Sequence, residues 1–313
     1  MDTEEAEKIC TEAVRIIVNP CSEEDLSRAA KMFSDAADAG YSQGMFGLAE
    51  MKLQGIGMPR DVGSAVNLYQ KAADLGNVSA MFRLGQISSL EFHDDVKAFG
   101  WYSKCAEAGF SPAYPALGDC YYDGIGIKIN ASKAIELYQK GVESGDPTSC
   151  LRMGCIYSEG TEVSKDQEKA DMMFLQAANA GIPEAQFLIA TGAYEGRIPG
   201  GKQLAAEWFS RCADYIPTAC FNLATMYCSG DGVEKDMPKA FGMFKKLAET
   251  GDADAMFQTG KMLLAGEGVK QDPQCGFEYI CKAADAGNAD AAMVVESLHR
   301  RQNRQFIKID GTE

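Results

Sequence analysis

The sequence predicts an all-α solenoid of about eight antiparallel helix hairpins. Three observations carry that prediction. Residues that close helices recur at a nearly constant spacing. Apolar and small residues fall in the same columns after each of them. A Gly-x-Gly hinge recurs between the two helices of the better copies.

The closing positions are Gly40, Gly76, Gly109, Gly145, Gly181, Tyr215, Gly251 and Gly287, with steps of 36, 33, 36, 36, 34, 36 and 36. Self-similarity at this period marks a stack in which each unit buries its apolar face against its neighbours. The copy from Gly251 to Gly287 shows the unit plainly. Ala255, Met256, Thr259, Gly260, Met262 and Leu263 place apolar or small residues at helical spacing. Gly266 is a natural left-handed stop because it has no Cβ, and Gly268 allows a second change of direction. Asp272 is placed to cap the next helix, and Pro273 suits its first position. Phe277, Tyr279, Ile280, Ala283 and Ala284 then mark a second helix that Gly287 ends. Two helices joined by so short a loop lie antiparallel.

The columns repeat along the chain. Eight residues after each closing position stand Leu48, Leu84, Leu117, Met153, Ile189, Leu223 and Thr259, and the next residue is always Ala or Gly. Six after it stand Phe46, Phe82, Pro115, Leu151, Phe187, Phe221 and Phe257, a column that reads as core. Two copies depart. Ser88 to His93 replaces the glycine hinge in one, and Tyr194 to Gly201 remodels it in another, which closes on Tyr215. The ends differ as solenoid ends must, since a terminal repeat has one naked face. Residues 3–40 read as a degenerate capping hairpin, with a helix from Glu4 to Val18, a break at Asn19-Pro20 and Ser22 as the next cap. Residues 41–287 hold the repeats. Residues 288–313 hold a closing helix from Ala289 to Arg300 and a basic tail, and the whole of 1–313 reads as one solenoid domain.

The repeated pattern A-x3-LG-x2-Y-x2-G-x-G-V-x2-D-x2-KA-x2-WY-x-KAA-x2-G resembles the Sel1-like repeat, a relative of the tetratricopeptide repeat, over roughly residues 20 to 287. The resemblance implies a right-handed superhelix whose concave face is lined by the first helix of each hairpin. It also implies a non-enzymatic adaptor or scaffold that binds protein or peptide partners. A second branch of the same family is secreted and disulfide-rich, with cell-wall-peptide or β-lactam binding or hydrolase activity. Cys212 and Cys220, at matched columns either side of a repeat junction, resemble the bridged pairs of that branch and are a candidate disulfide. The same columns elsewhere hold Ala, Val, Met, Tyr and Gln, so packing is the other reading of the pair.

Composition narrows the function classes. Thirty Lys and Arg against 45 Asp and Glu give a net charge of −15, which argues against a general nucleic-acid or anionic-membrane binder. No apolar run approaches the ~20 residues of a membrane span. The acidic start is unlike a signal peptide, so a cytoplasmic protein is expected. The eleven cysteines are odd in number and irregular in spacing, which favours reduced thiols over a stapled scaffold. His93 and His299 are the only histidines and stand far apart in sequence, so no catalytic or metal constellation is expected, and no cofactor. The Gly-x-Gly loops follow helices rather than strands and lack the Gly-Lys-Ser/Thr of a phosphate loop, so turn geometry explains them.

What varies between copies is where a partner is expected. Positions seven and ten after each closing residue sit beside the core columns. They include Glu50, Arg83, Asp119, Arg152, Asn222, Gln258 and Lys261. Among these, Arg83, Arg152, Asn222, Gln258 and Lys261 are suited to hold a peptide backbone or acidic groups by hydrogen bonds. Arg300, Arg301 and Arg304, basic on an acidic chain, are candidates for a contact with an acidic partner or with the acidic face of a second copy, in an otherwise monomeric or weakly self-associating protein.

Overall fold

The structure, a computed structural model, describes residues 2–20 and 22–298. Every regular element among them is helical. Sixteen helices run in hairpin order: α1 Thr3–Val18, α2 Glu23–Asp38, α3 Ser42–Gln54, α4 Val62–Asp74, α5 Val78–Leu90, α6 Asp95–Glu107, α7 Ala113–Asp123, α8 Ala131–Glu143, α9 Pro147–Glu159, α10 Gln167–Asn179, α11 Pro183–Tyr194, α12 Gly201–Cys212, α13 Pro217–Ser229, α14 Met237–Glu249, α15 Ala253–Ala265 and α16 Pro273–Asp285. A further helical segment covers 289–298, where the closing helix is expected. His299, Arg300, Arg301 and Arg304 lie outside the described residues.

The chain forms two compact units. The first spans residues up to 156 together with 160–164, and holds α1 to α8 and most of α9. The second spans 157–159 and the residues from 165 onward, and holds α10 to α16 and the last helical segment.

Local chemistry explains where the helices begin and stop. Asp61, Asp166, Asp236 and Asp272 each accept a hydrogen bond from the backbone N–H three residues on, as N-caps do. Ser22 does the same for α2, accepting from the Asp25 N–H at 3.2 Å. At the other ends, Gly55, Gly124, Gly160, Gly230 and Gly266 cap α3, α7, α9, α13 and α15 in the left-handed conformation. The hinge that lacks glycine solves the same problem with His93, which has φ of 52°.

The second glycine of each hinge has a packing duty that the sequence pattern alone does not show. A Cβ on Gly232 would lie 2.3 Å from the Lys202 carbonyl carbon, and one on Gly268 would lie 2.3 Å from the Met237 oxygen. Gly126 stands in the same relation to Asp95, and Gly57 to Leu26. Each hinge therefore rests directly on the start of the previous hairpin's second helix, backbone on backbone. The core columns repeat the principle inside the hairpins. Gly85 and Gly118 leave room for the rings of Tyr102 and Tyr138, and Gly260 approaches the Gly276 carbonyl. Phe46, Phe82, Phe187 and Phe221 pack ring to ring against Tyr69, Tyr102, Phe209 and Phe244 of the second helices, with centroids 5.1 to 5.8 Å apart.

Two glycines separate the conformational cost from the packing cost. Gly251 has φ of 98° and nothing within reach of an added Cβ, whereas Gly232 has both a positive φ and the Lys202 backbone in the way. Gly251→Ala is expected to cost ~1–2 kcal/mol. Gly232→Ala is expected to cost about 3 kcal/mol or more, since overpacking is added. Urea denaturation of the two variants against the parent chain reads the difference.

Candidate functional site

The polar positions of the first-helix face divide by unit. In the first unit they bind each other. Glu50, on α3, accepts from Arg83 Nε at 2.6 Å and from Arg83 Nη2 at 3.1 Å, so the guanidinium engages both carboxylate oxygens. The Tyr69 hydroxyl, from α4, donates to the same carboxylate at 2.7 Å. Asp119, on α7, is held in the same way. Arg152 Nε and Nη2 each donate to it at 2.8 Å, and the Tyr138 hydroxyl at 2.7 Å. Each carboxylate thus joins the second helix of its own hairpin to the first helix of the next hairpin. Bidentate geometry and a shared phenol make these stronger than ordinary surface ion pairs.

Burial and these bonds perturb the phenols. Burial raises the pKa of Tyr69 and Tyr138 well above the ordinary phenol range, and donation to Glu50 and Asp119 adds to the rise. Tyr102, in the copy whose equivalent first-helix position is Gln86, is pushed up to about 12, mainly by burial. Four of the residues expected to meet a partner, Glu50, Arg83, Asp119 and Arg152, are therefore paired with each other in two bridges.

The signal was present in three columns read together. The carboxylate and its phenol are 19 residues apart, and the carboxylate and its arginine 33, in both bridges. Where the second-helix position is Phe174, Phe209 or Phe244, the first-helix position is Cys155, Thr191 or Thr225, with no charge to satisfy. Column-by-column reading treats each position alone and misses this coupling.

In the second unit the polar positions lack such partners among the described residues. Asn222 is half-buried on α13. Gln258 and Lys261, on α15, line a groove of about 420 Å³ together with Thr225, Lys235, Met262 and Glu267, floored by Phe244 and Met237. Lys261 donates to the Gln258 side chain at 3.2 Å and lies over the Phe257 ring. In the first unit a larger groove, of about 510 Å³, lies between α1 and α3. Its walls are mainly apolar, with Val14, Ile17, Phe33, Phe46 and Met51, and Glu50 and Gln54 stand at its polar edge. Both grooves are lined by residues seven and ten after a closing position, Gly47 and Glu50 in one, Gln258 and Lys261 in the other.

Cys212 and Cys220 are both buried free thiols. Cys212 directs its sulfur to the Trp208 and Phe209 carbonyls of its own helix, and burial pushes its pKa up to about 11. Burial likewise lifts Cys105 to about 11 and Cys120 to about 12. Such thiols are poor nucleophiles. Among the described residues, no three His, Cys, Asp or Glu side chains converge as a metal site requires, and no helix is long and apolar enough to cross a membrane. The remodelled loop folds back on α11: the Arg197 and Ile198 N–H groups both donate to the Gly192 carbonyl, and Arg197 pairs with Asp171 of α10.

A family profile described as Sel1 repeat matches residues 21–41, 42–77, 78–110, 111–146, 147–182, 183–214, 217–252 and 253–288. Among curated proteins, the chain is 26% identical over 242 residues to the chitin synthase regulator SKT5 of Saccharomyces cerevisiae, covering 72% of this chain and 35% of that protein. It is 32% identical over 173 residues to the DAP3-binding cell death enhancer 1 of Rattus norvegicus, covering 43% and 34%. The chain spans about a third of the length of these relatives. Among solved structures, a protective antigen of uropathogenic Escherichia coli with an SLR fold superposes with a TM-score of 0.63 at 28% identity, over 91% of this chain and 62% of that one. A Sel1 repeat protein of Oxalobacter formigenes shares the fold, with a TM-score of 0.62 at 24% identity over 95% and 87%.

The bridges make a pH prediction. Tyr138 is neutral in the folded chain, while the same phenol ionises near pH ~10 when unfolded. Its raised pKa therefore contributes stability that is whole below about pH 10 and lost as pH rises further, by at most ~1.4 kcal/mol per pH unit for one phenol. Tyr138→Phe should flatten the alkaline fall of unfolding free energy. A Tyr138→Phe/Asp119→Asn double-mutant cycle at neutral pH should return a coupling of about 1 kcal/mol.

Proposed function

The chain belongs to the Sel1 repeat family, and from that premise we propose that it is a non-enzymatic scaffold or adaptor that binds protein or peptide partners on the face built by the first helices of its hairpins. That face is the concave one in the superhelices this family forms. One observation carries the reading. In each unit a groove opens on that face, and both grooves are lined by the columns that vary while the neighbouring core columns stay uniform. Packing fixes the uniform columns, whereas the variable ones answer to the bridges between hairpins, to solvent or to a partner.

The relatives point the same way. One is named as a regulator of chitin synthase and another as binding DAP3, roles that act through other proteins. Burial raises the thiol pKa values of Cys105, Cys120 and Cys212, which fits packing thiols rather than activated nucleophiles. The bridging of Arg83 and Arg152 assigns them to the joint between hairpins, so the partner contacts fall to the groove walls and to polar groups without an ion pair.

Two measurements test this. Photo-cross-linking residues introduced in the grooves at Gln54 or Thr225 should capture the partner, while those on exposed second-helix positions, Lys71 or Lys245, should not; the reverse pattern would move the site to the other face. Thiol titration without reductant should find all eleven cysteines after denaturation, with those at 105, 120, 212 and 220 reacting slowly before it. Protected disulfides would instead support the disulfide-rich, cell-wall-peptide reading.

A further inference from the structure

The groove of the second unit differs from the groove between α1 and α3 in its charge: Lys235 and Lys261 line it, whereas no Lys or Arg lines the other. Lys235, in the hinge after α13, and Lys261, on α15, are exposed, line the same groove, and make no ion pair among the described residues. Two nearby acids are otherwise engaged. Asp231 pairs with Lys202 at 2.7 Å, and Asp236 accepts the Lys239 N–H as the cap of α14. Glu267, in the next hinge, is the one carboxylate lining the groove. Burial raises the pKa of the Cys228 thiol in the same wall; the Glu267 charge adds to the rise, and the charges of both lysines oppose it. Both add positive charge to a groove in a chain of net charge −15. The first unit shows what this chain does otherwise: Arg83 and Arg152 are each clamped by a carboxylate.

The geometry points to this groove as a docking site for an acidic peptide segment, one whose carboxylates meet Lys235 and Lys261 while an adjacent apolar side chain rests against Met237, Phe244 and Met262. Gln258 adds an amide suited to the peptide backbone, and Thr225 a hydroxyl. Charge complementarity selects the occupant, since a basic or neutral segment would leave both ammonium groups without a counter-charge. The inference rests on the proposed partner-binding role and names the chemistry of the partner for this groove.

The probe is a short soluble peptide of glutamate, leucine and serine, compared with its glutamine-for-glutamate counterpart and with an amidated form. Methionine methyl NMR on the full chain reads the site, because Met237 and Met262 line this groove and Met51 lines the other. The acidic peptide should shift Met237 and Met262 and leave Met51 unmoved. Lys235→Glu/Lys261→Glu should weaken binding by about tenfold or more, and rising salt should do the same. Glu267→Gln should tighten it a few-fold, a gain that misfolding cannot imitate. A loss on amidation in addition to that caused by glutamine would add a terminal carboxylate to the contact, and no loss on amidation would leave it to the acidic side chains; either supports the site. Equal binding of the neutral peptide, shifts confined to Met51, or no binding at all would overturn the proposal. Because the cross-linking at Gln54 and Thr225 uses the unidentified partner rather than this probe, the scaffold reading stands or falls separately.

Discussion

How closely one hairpin can approach the next is the constraint on which the rest of this structure depends. The second hinge glycines meet the backbone of the preceding hairpin with no space for a methyl group, at Gly57, Gly126, Gly232 and Gly268. That contact sets the spacing between layers. The Ala and Gly columns match it inside the stack, where Ala65, Ala98, Ala134, Ala170, Ala205 and Ala240 are fully buried. With backbones this near, some large side chains fit because a glycine faces them, as Gly118 faces Tyr138. The aromatic pairs then fill what remains.

Polar chemistry is placed where the close packing leaves room for it. Glu50 and Asp119 are half-buried at joints between hairpins, a setting in which an unpaired carboxylate would be costly. Each is satisfied by an arginine from the next layer and a phenol from its own. The bridge therefore acts across a joint that the apolar columns have already closed. Its contribution is specificity of register as much as stability, because a shifted neighbour would strand the carboxylate.

The two units use the same face differently. One spends its arginines on internal bridges and presents an apolar groove between α1 and α3. The other has Phe244 where a phenol would stand, Thr225 where a carboxylate would stand, and leaves Lys235 and Lys261 facing its groove. A repeat fold thus carries unlike surfaces on like backbones, which is how a scaffold comes to distinguish partners.

The sequence by itself determined the all-α hairpins and where many of their helices begin and end, because these depend on local patterns. Gly266 ends a helix and Asp272 begins one through contacts a few residues long. It also exposed the columns that vary between copies. Only the tertiary structure decided which polar residues in those columns are partnered. Arg83 and Glu50 are 33 residues apart, and Tyr69 and Glu50 are 19, so no local rule links them. Read one at a time, Arg83 and Lys261 are equivalent groove cations. Among the described residues, folding brings a carboxylate to the first and none to the second, and that difference comes from which helices the stack sets side by side.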